Sequence, residues 1–132
     1  ILFPKNGAVV VESVETAGEV SAIFFDEELS HCVQKVPVSG DYRVQDDFGA
    51  KDFPITAPES VVKIARQALS GARRILGVEA PLLYGRADFL RMDDERYVLN
   101  ELELVEPSLF FRHEATAGQR LAARINARLA SD

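Results

Sequence analysis

The sequence predicts an α+β domain in which an antiparallel β-sheet is covered by two helices. Two observations carry this prediction. Strand-like segments follow one another in pairs joined by short turns, which is typical of antiparallel hairpins. Residues 61–76 and 121–129 instead repeat apolar side chains with the period of a helix. The expected order is three strands, a long loop, a helix, two strands and a final helix.

Length and composition set the broad class. The 132 residues are enough for a core, and we treat residues 1–132 as one domain. A net charge of −6 and the absence of a Lys/Arg-rich stripe argue against a nucleic-acid partner. Neither a membrane-length apolar run nor a signal peptide is visible, so no membrane partner is expected. Cys32 is the single cysteine, which excludes an internal disulfide and favours a reducing, cytoplasmic compartment.

The first third of the sequence reads as three strands, over residues 8–15, 20–25 and 29–38. A two-residue turn at residues 27–28 would place Val20 opposite Lys35 and Phe24 opposite His31. His31 is then expected to be a packing or capping residue. Because the chain starts at Ile1 without a methionine, we expect it to be a piece of a longer protein.

Residues 37–57 break the pattern with several Pro, Gly and Asp residues. A connection of this length inside a compact domain is usually functional or disordered. We therefore predict a long mobile loop, whose cations are Arg43 and Lys51. Two interpretations stay open, a floppy surface loop and a lid that orders over an anionic ligand.

Two capping-box patterns mark the helix starts. Thr56 and Glu59 precede the first apolar stripe, and Thr116 and Gln119 precede the second. Gly77 is expected to cap the end of the first helix. We interpret that helix as a packing element and not as part of a site.

Residues 82–109, LLYGRADFLRMDDERYVLNELELVEPSL, predict a hairpin with its turn at residues 93–96. Three cross-strand pairs follow from that turn: Met92 with Tyr97, Asp88 with Glu101, and Arg86 with Glu103. One face of the second strand then carries Tyr97, Leu99, Glu101, Glu103 and Val105. Like charges directly across strands repel, so a hard cation such as Mg²⁺ is a natural partner for the carboxylates. The alternative is a solvated, charged face of an edge hairpin.

The motif GRADF followed by NELELVEPSL resembles the C-terminal lobe of ATP-grasp ligases, specifically the glutathione synthetase-like and D-alanine:D-alanine ligase-like members. The resemblance runs from about residue 9 to the last helix. It implies that Asp88 and Glu101 are magnesium ligands and that Arg86 is a catalytic residue facing the phosphates. Glu103 stands where the family has Asn and is a third implied ligand, since carboxylates also bind magnesium.

Two further stretches support the same resemblance. In VESVETAGEVS, the residues of an adenine-binding hinge would be Glu12, Ser13 and Val14, and Glu19 would accept from the ribose hydroxyls. In KVPVSGDYRV, Lys35 would contact the ATP phosphates. Arg43 would be a catalytic residue that pairs with the acceptor carboxylate or its acyl phosphate through its planar fork.

The resemblance implies an ATP-dependent ligase that joins a small-molecule carboxylate to an amine, or a similar nucleophile, through an acyl phosphate. ATP and Mg²⁺ are the implied cofactors. The resemblance does not extend to an N-terminal domain or to the Gly-rich loop of the central lobe, so this stretch alone is expected to be inactive. Two alternatives stay open, a non-catalytic binding or interaction domain and an inactive fragment that associates into a homodimer.

Overall fold

The computed structural model describes residues 18–36, 51–92 and 94–130. Its strands are β1 (Glu19–Phe25), β2 (Glu28–Val36), β3 (Lys51–Ile55), β4 (Tyr84–Arg91) and β5 (Tyr97–Glu103). Its helices are α1 (Glu59–Leu76) and α2 (Ala117–Leu129), with a short 3-10 turn at Phe111–His113 before α2. The strands form one antiparallel sheet in the order β3-β2-β1-β4-β5. The predicted α+β class is confirmed.

Strand β1 lies at the centre of the sheet, and all seven of its residues are buried. Because successive side chains point to opposite faces, β1 supplies two separate cores. Towards α1 it contributes Val20, Ala22 and Phe24, which pack with Ala65 and Leu69 of the helix. Towards α2 it contributes Ile23 and Phe25, which pack with Phe110 and Ala117. Each face of the sheet therefore has an apolar cluster of its own, one against α1 and one against the start of α2.

The hairpin of β1 and β2 differs from its predicted register by two residues next to the turn and by one residue beyond the bulge, so that Phe24 pairs with Leu29 and not with His31. Its turn is formed by Asp26 and Glu27, both with positive φ (51° and 63°), one position earlier than expected. A bulge between Ile23 and Phe24 shifts the pairing again further along. As a result Glu19, and not Val20, lies opposite Lys35. The expectation of Val20 opposite Lys35 was wrong, and the correction places two charged residues side by side.

Strand β3 lies inside the predicted loop of residues 37–57, which corrects that prediction for residues 51–55. Among the described strands it pairs with β2 alone and lies at the edge of the sheet. Pro54 cannot donate to a sheet ladder, and edge strands are where proline is tolerated. That is the physical reason why a proline-containing segment forms a strand here.

The helix ends follow the sequence in part. Helix α1 begins at Glu59 with Pro58 at the N-cap, so the expected cap at Thr56 was wrong. Gly77 closes α1 in the left-handed conformation (φ 67°), as predicted. Thr116 occupies the N-cap of α2, although its hydroxyl bonds to Glu114. Within the described ranges, neither helix has the length and apolar character required to cross a bilayer.

Candidate functional site

The hairpin of β4 and β5 confirms two predicted pairs and corrects a third. Asp88 lies opposite Glu101, and Arg86 lies opposite Glu103, as expected. Nearer the turn, however, Tyr97 pairs with Arg91 and not with Met92. The two registers are reconciled by a bulge between Asp88 and Phe89, which leaves Asn100 as the extra residue of β5.

This bulge also corrects the predicted face of two residues. Tyr97 and Leu99 were expected beside the carboxylates, but they pack against the core under α1. The extra residue at Asn100 reverses the alternation of β5, because one inserted residue moves the preceding side chains to the other face. Glu101 and Glu103 keep their predicted face, since they follow the bulge.

Asp88 is the buried centre of the polar face, with 1% of its surface exposed. Its Oδ1 accepts from the Ser21 hydroxyl at 2.6 Å. The Arg86 guanidinium donates to both carboxylate oxygens, at 2.9 to 3.1 Å. The Nζ of Lys35 lies 3.8 Å from Oδ2. A buried carboxylate is tolerated only when it is paired and hydrogen-bonded, and Asp88 meets both conditions.

Glu19 and Lys35 form a second buried pair next to Asp88. They are 8% and 5% exposed, and the Lys35 Nζ lies 2.5 Å from Glu19 Oε2. Asn100 donates to the other oxygen of Glu19 at 3.4 Å. Burial and then the charge of Asp88 raise the pKa of Glu19 above its ordinary value, although Lys35 opposes the shift. The site therefore concentrates charge where water cannot screen it.

Gly18 allows the two strands to come this close. Its φ is +68°, and a Cβ built there would lie 2.0 Å from the backbone carbonyl oxygen of Lys35. Only glycine fits this combination of left-handed backbone and close approach. The position before Glu19 thus fixes how β1 enters the sheet beside the end of β2.

Arg86 connects the buried cluster to the rim of the site. It forms ion pairs with both Asp88 and Glu103, and its Nη1 donates to the Ser108 carbonyl at 3.3 Å. Burial by itself lowers the pKa of Arg86, but the hydrogen bonds and charges of Asp88 and Glu103 outweigh burial and raise it. Arg86 consequently stays charged between two carboxylates.

The three predicted metal ligands are neighbours in the sheet but are engaged differently. Asp88 and Glu103 are bridged by Arg86, while Glu101 is exposed. Among the described residues, no group of three or more His, Cys, Asp or Glu side chains converges as a metal site would require. The all-oxygen donor set suits Mg²⁺ chemically. Arg86 already pairs with two of the three carboxylates that would hold the metal.

The loop after β5 brings an aromatic ring to the same cluster. The ring centroid of Phe110 lies 5.9 Å from Lys35 Nζ, 5.8 Å from Arg86 Cζ and 5.1 Å from Arg112 Cζ. These distances fall within the range of cation–π contacts. The buried charges of the site are thus bordered by carboxylates on one side and by an aromatic ring on another.

Most of the predicted site residues that the structure describes do come together. The cluster contains Glu19, Lys35, Arg86, Asp88 and Glu103, and Glu101 lies beside it. The predicted residues Glu12, Ser13, Val14 and Arg43 lie outside the described residues.

Three residues of the cluster were not predicted: Ser21, Asn100 and Phe110. Ser21 could have been found, because it lies two residues after Glu19 on a strand and therefore shares its face. Asn100 directly precedes Glu101 in the quoted motif, but only a bulge turns it towards Glu19. Nothing in the local sequence pattern distinguishes Phe110 from its neighbour Phe111.

The chain is similar to known ligases in sequence and in structure. It is 35% identical over 124 residues to cycloserine biosynthesis protein DcsG of Streptomyces lavendulae, a match that spans 90% of this chain and 40% of that protein. It superposes on the crystal structure of D-cycloserine synthetase DcsG with a TM-score of 0.77 and 33% identity, covering 89% of this chain and 40% of that chain. The solved structures that it resembles are ATP-grasp ligases, and it covers 40% or less of each of these chains. The ATP-grasp resemblance inferred from the sequence motifs is thereby confirmed.

More distant ATP-grasp structures share the fold alone. D-alanine–D-alanine ligase from Bacillus anthracis, complexed with ATP, matches with a TM-score of 0.51 and 16% identity over 83% of this chain and 36% of that chain. The ATP-grasp ligase PsnB, complexed with a precursor variant, Mg and ADP, matches with a TM-score of 0.52 and 19% identity over 82% of this chain and 32% of that chain. No protein-family model matches the chain. The chain spans about 40% of the length of DcsG.

Proposed function

We propose that this chain forms the nucleotide-binding sheet of an ATP-dependent ligase, which joins a small-molecule carboxylate to an amine or similar nucleophile through an acyl phosphate. One observation carries the proposal. Glu19, Lys35, Arg86 and Asp88 lie together, largely buried, on the sheet face opposite α1. Burying charged side chains costs desolvation free energy, whereas burying apolar side chains does not. Such a cluster is therefore a candidate for binding or catalysis.

Lys35 and Arg86 would bind the phosphates of ATP. Both cations are held by carboxylates at the floor of the site, where low solvent access strengthens their attraction for an anion. Phosphoryl transfer needs positioning and charge stabilisation more than a protein nucleophile. The two cations supply that stabilisation, and Arg43, outside the described residues, would add a third for the acceptor carboxylate.

Glu19 would accept hydrogen bonds from the ribose hydroxyls. Its carboxylate is already oriented by Lys35 and Asn100, which would fix the direction in which it accepts. The adenine would then lie towards Glu12, Ser13 and Val14, which precede Glu19 in the sequence. This assignment rests on the family resemblance and on the position of Glu19 at the start of β1.

Asp88, Glu101 and Glu103 would hold Mg²⁺, which offsets the charge of the triphosphate when bound. Glu103 replaces the family's Asn and adds a negative charge to this set. In the described arrangement Arg86 pairs with two of these carboxylates. Arg86 would thus neutralise Asp88 and Glu103 before the nucleotide binds, and would contact the phosphates once it is bound.

The proposal is tested by calorimetric titration of the intact protein with Mg²⁺ and a non-hydrolysable ATP analogue. We expect binding by the wild type, and a loss of at least about thirtyfold in Asp88→Asn, because one charge of a buried, hydrogen-bonded pair is removed. Asp94→Asn is the matched control, since Asp94 lies in the exposed turn of the same hairpin and pairs with Arg96. If the wild type fails to bind the analogue, the proposal is wrong.

A second candidate function is a non-catalytic binding domain, and one observation favours it. The hydrogen bonds and ion pairs described for the Asp88 side chain are to Ser21, Arg86 and Lys35, and no three-carboxylate group converges among the described side chains. In that case Asp88→Asn would lower stability without any nucleotide being bound. Release of phosphate from ATP that depends on an added carboxylate and amine separates the ligase from this alternative.

A further inference from the structure

Phe110 lies next to the cations of the cluster, but the proposed function gives this residue no role. The residue is 4% exposed and belongs to the connection between β5 and α2. Its ring lies within 6 Å of three cationic groups that come from three different parts of the chain. Lys35 belongs to β2, Arg86 to β4 and Arg112 to the 3-10 turn. One ring therefore meets cations that the sequence separates widely.

The backbone at Phe110 is held in an unfavourable conformation to reach this place. Its φ is 48° and its ψ is 40°, a left-handed geometry that bulky side chains rarely adopt. Such geometry persists only where the surroundings impose it. Three hydrogen bonds do so here, because the carbonyl of Ser108 accepts from Arg86, that of Leu109 from His31 Nε2, and that of Phe110 from the amide of His113.

The aromatic ring also differs from a carboxylate in what it does to these cations. The carboxylates of Glu19 and Asp88, which pair with Lys35 and Arg86, also compete with phosphate for these cations. The negative face of a ring attracts a cation without adding a formal charge. Phe110 can thus fix the position of Lys35 and Arg86 while leaving their charge available to an anion.

We propose that Phe110 is a positioning residue that holds Lys35 and Arg86 in place for the phosphates of the nucleotide. This inference rests on the proposed function, because it assigns the same two cations to ATP. It predicts that the aromatic character of position 110, and not only its volume, determines nucleotide affinity.

The test is the affinity of the intact protein for the non-hydrolysable ATP analogue with Mg²⁺, measured in position-110 variants. Phe110→Leu and Phe110→Met keep an apolar side chain without a ring and are expected to weaken binding about fivefold, the strength of a partly buried cation–π contact. Phe110→Tyr keeps the ring and should stay within about twofold of the wild type. Phe111→Leu is the matched control, because Phe111 is 44% exposed and should leave affinity unchanged.

A double-variant cycle separates positioning from a general structural effect. In a Lys35→Gln background one of the two cations is gone, so the effect of Phe110→Leu should fall to about half its fold-change or less. An undiminished fivefold effect in that background would overturn the inference. Equal affinities of Phe110→Tyr and of the better-folded apolar variant, Phe110→Leu or Phe110→Met, would also overturn the inference.

The same experiment distinguishes the two proposals. A wild-type protein that does not bind the nucleotide refutes the proposed function and this inference with it. A wild-type protein that binds, but whose affinity does not respond to loss of the ring, refutes the inference alone.

Discussion

The two faces of the central strands are equally buried but chemically opposite. Towards α1, the buried side chains of strands β1 and β4 are apolar, among them Ala22, Ala87 and Phe89, all fully buried. On the other face the same strands present Ser21 and Asp88, which are just as inaccessible. Adjacent residues on one strand thus face two different environments.

This difference separates the residues that stabilise the fold from those expected to bind a ligand. Apolar packing on the α1 face gains free energy from burial alone. On the polar face, burial of the charges costs desolvation free energy. The ion pairs and hydrogen bonds roughly offset that cost and add little net stability. Apolar packing thus stabilises the fold on the α1 face and, around Ile23 and Phe25, at one end of the opposite face. Function is expected at the charged part of that opposite face.

The largest predicted effect breaks the apolar face. Phe89→Ala removes a fully buried ring from the core under α1 and is expected to lower the free energy of unfolding by about 3–5 kcal/mol. Chemical denaturation measures the loss. Phe53→Ala is the control on the edge strand, where the ring is half exposed and the loss should be far smaller. Equal losses in both variants would contradict the assignment of the core to the α1 face.

The next prediction concerns the strand entry that supports the polar face. Gly18→Ala forces a Cβ against the carbonyl oxygen of Lys35 in a left-handed backbone, so we expect a loss of about 2–4 kcal/mol in unfolding free energy. Gly71→Ala is the matched control, because its Cβ would meet nothing within 4 Å in α1. That variant should gain up to about 1 kcal/mol, since alanine favours helix. A tolerated Gly18→Ala would show that the approach of β1 to β2 is looser than described.

A reciprocal pair of substitutions compares the two faces at neighbouring residues. Ser21→Ala removes the hydroxyl that donates to Asp88 and should cost about 1.5–3 kcal/mol, the range for a hydrogen bond to a charged group. Ala22→Ser places a hydroxyl in the apolar core and should cost a similar amount for the opposite reason. Urea denaturation of both variants measures the two costs. If Ser21→Ala proves neutral, the hydroxyl is not needed to satisfy Asp88.

The smallest effect lies outside the two faces, where α2 meets the turn of the first hairpin. Burial raises the pKa of Asp26, but the hydrogen bonds and charges of Arg124 and Arg128 outweigh burial and lower it below the ordinary value. A lowered folded-state pKa means that the stabilisation is present above the unfolded pKa and is lost as pH falls through the folded one. Asp26→Asn should thus cost about 0.5–1 kcal/mol at pH 7, as expected for a partly exposed ion pair.

The pH dependence of that variant provides its own check. The difference in melting temperature between wild type and Asp26→Asn should shrink as the pH is lowered through and below the ordinary Asp range, about 3.9. A difference that stays constant down to low pH would mean that the contribution of Asp26 is not electrostatic.

The sequence predicted the elements better than it predicted their registers. The two amphipathic helices and four of the five described strands follow from hydrophobic period, because that period depends only on which residues share a face. The pairing of Asp88 with Glu101 was also predicted correctly. It survived because the bulge at Asn100 offsets a turn that pairs Tyr97 with Arg91.

The errors have a common cause in bulges, turns and edges. The first hairpin turns at Asp26 and Glu27 with both φ values positive, although glutamate is not a residue that such turns favour. Strand β3 was predicted as loop because proline argues against a strand, and only its position at the sheet edge makes it admissible. A one-residue change in pairing moves the side chains between the turn and the bulge to the opposite face of the sheet. For this reason Tyr97 and Leu99 were assigned to the wrong face.

The α+β class, the helices and the charged residues of the site could all be predicted from the sequence. Which of those charges lie in contact depends on the tertiary structure. Glu19, Lys35 and Asp88 belong to three strands whose mutual register depends on the first turn, its bulge and the close approach at Gly18. Phe110 reaches their cations only because the loop after β5 folds back onto the sheet. Local periodicity fixes faces within one strand, but contacts between strands depend on registers that a single inserted residue can change.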